Sequence, residues 1–343
     1  MTDQKHIFIK PFFNTIQFVL AGNDIQGLEY GTIETKEKYF LKWKEVSEEK
    51  DQACPYLLEI TKSIREKSGR YIYPLDKHII EMFNKERFIE LLRDFVVFDR
   101  GIKKLCRPNQ YFGIKSAQDF IRRRKGGIIW HTQGSGKSLT MVWLTKWIRR
   151  YNPNARVLII TDREELDEQI EKIYKGVDEN IYRTTSGRDL LEKLNDTSPW
   201  LLCSLIHKFG RKEEGDEKDV DNFLADLKRS IPTDYSAKGD IYVFVDECHR
   251  TQSGKLHKAM KEFIPNALFI GFTGTPLLKT DKQTSLEIFG PYIHTYKFDE
   301  AVQDKVVLDL RYEARDVKQN ITLHDNIDQW FELKTQGLTD FKK

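Results

Sequence analysis

Five short apolar runs punctuate the sequence from Gly126 onward, at residues 127–130, 156–161, 201–205, 241–245 and 267–272. Each is rich in Ile, Val, Leu and Phe, and each is separated from the next by a segment long enough to hold a helix. Near-continuous apolar runs of this length suit strands buried on both faces, because such strands have no wet side on which to alternate polar residues. Strands that alternate with helices are joined by crossovers and so run parallel. The expected class is α/β, a parallel sheet with helices on both faces, preceded by a smaller mixed α+β segment.

Before residue 100 the texture differs. The first fifty residues hold β-rich pieces (Phe12-Phe13, 16–20, 31–33 and 39–43) broken by Gly22-Asn23-Asp24 and Gly27, which reads as a hairpin or a sheet edge. By themselves they make a poor core. Residues 45–66 and 86–98 read as helices, the second placing Phe88, Leu91, Leu92 and Phe95 on one face. The mixed-charge stretch 211–229 reads as a solvated loop and surface helix, and the basic run Arg122-Arg123-Arg124-Lys125 as a solvated helix end.

Composition narrows the function classes. Lys plus Arg number 56 against 53 Asp plus Glu, a net charge of +3, so no bulk field draws a polyanion and any nucleic-acid contact must be local. Cys54, Cys106, Cys203 and Cys248 include no C-x-x-C pair, which argues against a zinc site or a disulfide framework and suits a reducing cytoplasm. No run approaches the roughly 18 apolar residues of a membrane span, and the N-terminus lacks a secretory core.

The segment Gly126-Gly-Ile-Ile-Trp-His-Thr-Gln-Gly-Ser-Gly-Lys-Ser138 carries the chemistry. An apolar strand runs into a glycine-rich turn and then into a helix-forming stretch, the context of a phosphate-binding loop. Gly134 and Gly136 let backbone N–H groups converge on phosphate oxygens, and the helix start adds its positive dipole end. Thr132, Gln133, Gly134, Ser135, Gly136, Lys137 and Ser138 form the candidate nucleotide loop, with Lys137 reaching the β- and γ-phosphates and Ser138 ligating Mg²⁺. Where the usual pattern begins with Gly, this chain has His131. A second apolar run ends in Asp246-Glu247-Cys248-His249; Asp246 is assigned to the metal and Glu247 to the attacking water as base. A third ends in Thr273-Gly274-Thr275-Pro276, whose small hydroxyl residues suit coupling of nucleotide state to the fold.

The ordered set GSGKS, DECH and TGTP resembles the first RecA-like motor domain of superfamily 2 helicases and translocases. Finer wording, IIWHTQGSGKSLTMVWL (128–144), ITDREELDEQ (160–169), DECHRTQSGKL (246–256) and FTGTPL (272–277), is similar to the R subunit of type I restriction–modification enzymes, in which His stands at the first loop position. The resemblance implies an ATP- and Mg²⁺-dependent motor that translocates double-stranded DNA in support of endonucleolytic cleavage, with modification and specificity subunits as partners. It places Arg107 and Gln110 in an adenine-recognising glutamine motif. It makes Thr161, Asp162, Arg163, Ser204, His207 and Lys208 candidates for DNA phosphate contact.

The same resemblance implies a division into 1–50 as the tail of a nuclease-side domain, 51–98 as a helical connector, 99–297 as the first motor domain and 298–343 as the start of a connector. A second motor domain would lie beyond this chain, so the chain alone is expected to bind nucleotide weakly and hydrolyse little. Asp24, Glu34 and Lys36 imitate a nuclease D…E-x-K pattern, but Glu34 sits in a mixed, charged stretch rather than on a buried strand. The alternatives are a truncated form that binds nucleotide, DNA or subunits without turnover, and another superfamily 2 helicase.

Overall fold

The computed structural model describes residues 15–45, 55–161, 164–205, 234–248, 260–275 and 286–310, with shorter pieces at 225, 227–231, 257, 329, 331 and 333–335. Its strands are β1 (Val19–Asn23), β2 (Gly27–Gly31), β3 (Leu41–Lys42), β4 (Val96–Asp99), β5 (Ile102–Leu105), β6 (Gly127–His131), β7 (Ala155–Thr161), β8 (Tyr182–Arg183), β9 (Leu201–Leu205), β10 (Asp240–Val245), β11 (Leu268–Thr273) and β12 (Tyr292–Tyr296). Its helices are α1 (Pro55–Ser68), α2 (Pro74–Met82), α3 (Lys85–Asp94), α4 (Pro108–Arg122), α5 (Lys137–Tyr151), α6 (Glu164–Gly176), α7 (Gly187–Asn195) and α8 (Phe298–Gln303).

Seven strands form one parallel sheet in the order β12-β6-β11-β10-β7-β9-β8. All seven residues of β7 and all five of β9 are buried, which is why these strands read as unbroken apolar runs. Alternate residues serve two cores. Ile129, Val157, Ile159 and Phe272 pack with α4, α5 and α6 on one face, while Ile128, Leu158, Ile160 and Val243 pack with α7 and with Met260, Phe263 and Ile264 on the other. All five expected strands are present within a residue or so. Two were not expected: β8, only two residues long, and β12, a mixed edge strand.

The connection leaving β6 runs toward β7, whereas the chain leaving its neighbour β11 passes to β12 on the other side of β6. This reversal opens a crevice at the carboxyl ends of β6 and β11, the place where open α/β sheets bind ligands.

The upstream elements share the first core rather than forming their own. Leu28, Tyr30, Trp43, Met82, Leu91 and Phe95 pack in the cluster that holds Tyr111 and Ile114 of α4. The Arg87 guanidinium lies 5.3 Å from the Trp43 ring and 5.6 Å from that of Tyr111, and it pairs with Glu45. The expected helix over 86–98 ends at Asp94, because Val96-Val97-Phe98 turns into a hairpin with β5. Arg100 (φ 51°) and Gly101 (φ 78°) form its two-residue loop, both in the left-handed region that a tight hairpin turn demands. One compact unit spans Met1–Val307, and Leu308–Lys343 forms another.

Glu81 of α2 is half-buried near Glu45, and its carboxyl is pushed up to about 7, first by burial and then by the Glu45 charge. Because the folded value lies above the unfolded one, this carboxyl favours folding below about pH 4.5 and loses that contribution as pH rises through 7. Glu81→Gln is expected to match the parent protein at pH 4.5 and to exceed it by pH 8, on the order of 1 kcal/mol after solvent screening. Thermal unfolding across that range checks it, and a pH-independent difference would count against it.

Candidate nucleotide site

The loop between β6 and α5 is held open by its glycines. Gly134 (φ 81°) and Gly136 (φ 91°) are left-handed, and a Cβ on Gly136 would lie 2.5 Å from Gln110 Nε2, so space and backbone both exclude a side chain there. Ser135 is buried and its hydroxyl donates to Thr132 O at 2.5 Å. Lys137 and Ser138 open α5 as its first two residues, partly exposed.

The two left-handed glycines have their carbonyls capped from the start of α4. Gln110 Nε2 donates to Gly136 O at 2.9 Å and Arg107 Nη1 to Gly134 O at 3.3 Å. Gln110 Oε1 accepts from Arg107 N at 2.8 Å, closing a box at the helix start. Burial pulls the Arg107 guanidinium below its ordinary value, against the opposing influence of Tyr296 and Tyr30. Gln110 is 2% exposed, so in this arrangement its amide braces the loop.

The second strand of the crevice closes on the first. A Cβ on Gly274 would lie 2.7 Å from Lys137 Nζ and 3.2 Å from Gln133 N, so a residue with no side chain lets the Thr273-Gly274-Thr275 turn approach the loop. Thr275 N donates to Thr273 Oγ1 at 3.3 Å, which shapes that turn. Asp246 and Glu247 follow β10, one strand beyond β11 and so about 10 Å from β6 at the usual strand spacing. Asp246 N donates to Ile160 O, Cys248 N donates to Phe272 O, and Glu247 between them has φ 49°. A non-glycine residue held left-handed by bonds on both sides is strained, and such strain clusters at functional sites.

Not every expected residue reaches this edge as an exposed group. Thr161, the last residue of β7, and Ser204, next to last in β9, are fully buried, with no hydrogen-bond partner for either hydroxyl among the described residues, so neither presents itself to a backbone phosphate. Asp162, Arg163, His207 and Lys208 lie outside the described residues. Two contributors were not expected at all. His294 of β12 has its Nδ1 2.9 Å from His131 Nε2, and Gly113 of α4 makes room for the His131 ring. Nothing in the pattern Tyr-Ile-His-Thr-Tyr marks His294 before its strand is placed beside β6. Among the described residues no group of three His, Cys, Asp or Glu side chains is placed to hold a metal, and no helix is long and apolar enough to cross a membrane.

A parallel sheet carrying a glycine-rich loop at the reversal of its strand order, with a carboxylate pair two strands away, defines a RecA-like P-loop ATPase. The SWI2/SNF2 ATPase family matches residues 109–343, and the chain belongs to that family. It is 31% identical over 316 residues to a putative type I restriction enzyme MjaIXP endonuclease subunit of Methanocaldococcus jannaschii, covering 89% of this chain and 29% of that protein. It is 28% identical to the type I restriction enzyme HindI endonuclease subunit of Haemophilus influenzae, covering 86% of this chain and 28% of that one. The chain thus spans less than a third of these relatives' length. Among solved structures, the Sulfolobus solfataricus SWI2/SNF2 ATPase core in complex with dsDNA is similar with a TM-score of 0.42 at 17% identity, over 62% of this chain and 40% of that one.

Proposed function

We propose that this chain is the ATP-binding motor segment of a type I restriction enzyme R subunit, which supports DNA cleavage by translocating double-stranded DNA at the expense of ATP. The observation that carries the reading is the approach of Gly274 to Lys137 beside a loop whose glycine carbonyls are already capped. The fit to a triphosphate rests on that cradle: two left-handed glycines, a helix start and one ammonium group together favour phosphate oxygens. Thr132, Gln133 and Ser135 complete the loop, and Gln110, its amide engaged at both atoms, would brace it. ATP with Mg²⁺ would supply the cleavable phosphoanhydride and the cation that neutralises its charge.

Ser138 and Asp246 would hold that cation together with phosphate oxygens, since Mg²⁺ is usually bound by few protein groups. Glu247 would accept the proton of the attacking water. Thr273, Gly274 and Thr275, packed on the loop, would report the γ-phosphate to β11. DNA would be contacted beyond the ends of β7 and β9, at Asp162, Arg163, His207 and Lys208, and the modification and specificity subunits would complete a cytoplasmic complex.

The test measures ATP hydrolysis with and without double-stranded DNA, alongside nucleotide binding. Binding with little turnover is expected of this chain alone, with Glu247→Gln leaving affinity within about threefold, because the base acts on water and not on the nucleotide. Robust DNA-stimulated turnover that survives Glu247→Gln would remove the assignment of the base.

A further inference from the structure

The edge strand β12 contains an irregularity placed beside the phosphate loop. Tyr292 pairs with Ile128, yet His294 pairs with Ile129, so two residues of β12 stand against one step of β6. In an unbulged register His294 would face Trp130 and point to the other side of the sheet, since a one-residue slip exchanges the faces. The bulge instead puts Tyr292 on the second core, Ile293 on the first, and His294 on the face that carries Ile129 and His131.

The consequence is an imidazole pair at the root of the loop. His131 Nε2 and His294 Nδ1 are 2.9 Å apart, with the rings at 75° and their centroids 5.1 Å apart. Burial lowers both rings below their ordinary range, His294 to about 4, so both are neutral and one must donate to the other. In either tautomer His131 Nδ1 and His294 Nε2 are left as one N–H and one lone pair, and neither has a hydrogen-bond partner among the described residues. A polar pair with two unanswered buried atoms costs stability that an apolar pair would not.

Three further features converge here. A Cβ on Gly113 would lie 2.9 Å from the His131 ring, so α4 is relieved of a side chain where the pair sits. One residue past His131, Thr132 N donates to Tyr296 O at 2.9 Å. A Cβ on Gly134 would meet the Val307 side chain at 3.2 Å, so the end of β12 touches the loop at its base and the chain beyond α8 touches it at its bend.

We propose that His131 and His294 are positioning residues for the nucleotide: their ring-to-ring bond, made possible by the bulge in β12, sets the entry of the phosphate loop and ties it to the edge strand. This rests on the reading of residues 132–138 as the phosphate site.

The experiment compares His294→Phe, His131→Phe, the double variant and His294→Gln in the 343-residue chain. Three readouts are taken: thermal unfolding, binding of a fluorescent ATP analogue, and hydrogen exchange of the 132–138 amides. His294→Phe is expected to fold, to bind the analogue about tenfold more weakly and to exchange faster in the loop. The double variant should be no weaker than either single one, because the two residues act as one unit. Glutamine, which can still bond the His131 ring, should restore most of the affinity, and it serves as the test variant should phenylalanine not fold. Parental affinity and exchange in His294→Phe, with Lys137→Ala still weakening binding about a hundredfold, would overturn the proposal and leave the phosphate site standing. Binding that is indifferent to Lys137 would overturn the phosphate site itself, and the proposal with it.

Discussion

Replacing Lys137 with alanine is expected to weaken binding of a fluorescent ATP analogue by about a hundredfold, roughly 3 kcal/mol. The ammonium group starts α5, where the helix dipole already favours an anion, and Gly274 leaves the space that it occupies. A lysine in this setting acts as a point charge on the phosphates, and Arg107, the cation that reaches the loop from the start of α4, is committed to Gly134 O. Stability should change little, because Lys137 is partly exposed and removing it leaves no buried partner stranded. Titration of the analogue against a folded Lys137→Ala protein decides the matter, and unchanged affinity would refute the assignment of the loop.

A second large effect concerns folding. Arg156, near the amino end of the interior strand β7, is 2% exposed and gives its guanidinium to five backbone carbonyls. It donates to Lys193 O (2.6 Å), Leu194 O (3.1 Å), Asp196 O (2.5 Å), Pro199 O (2.9 Å) and Lys238 O (3.2 Å). Two of those carbonyls close α7, whose end is the negative pole of its dipole, so the cation meets its terminal acceptors and the dipole together. Burial pulls the guanidinium below its ordinary value, with Asp196 opposing, but the group stays charged. Arg156→Leu is expected to cost about 3–5 kcal/mol by removing a buried charge that ties these carbonyls together, of which Leu194 O keeps only its bond from Lys238 N. Arg156→Lys should recover only part, since one ammonium has three donors on a flexible stem. Thermal denaturation reads both, and a loss below about 1 kcal/mol for the leucine variant would show the bonds to be dispensable.

The sequence was legible where burial was two-sided. Strands β7, β9, β10 and β11 are apolar on both faces because helices cover both, so their runs are continuous and their ends fall where the polarity changes. It was not legible at the sheet margins. The two-residue β8 carries too little pattern, and β12 mixes Tyr, His and Thr because it is an edge strand with a bulge. Residues 96–98 read as helical because Phe88, Leu91, Leu92 and Phe95 lie at helical spacing. The turn at Arg100-Gly101 outweighed that period. At the site, the loop and its glycines could be read from local chemistry, whereas the bracing by Arg107, the His131–His294 pair and the carbonyl hub of Arg156 depend on contacts distant in sequence. No periodicity encodes a partner 163 residues away.

The match to the SWI2/SNF2 family begins at residue 109, two positions after Arg107, whose side chain caps one of the loop glycines. Behind that brace stand Tyr111 and Phe112, which pack against Trp43, and Trp43 in turn lies under the Arg87 guanidinium. The stretch that matches the SWI2/SNF2 family and the stretch that must fold together to keep the loop in shape therefore have different beginnings. Grafting or trimming this ATPase domain at the border of the family match would sever the supports of its own glycine-rich loop, and the workable seam lies upstream of Trp43.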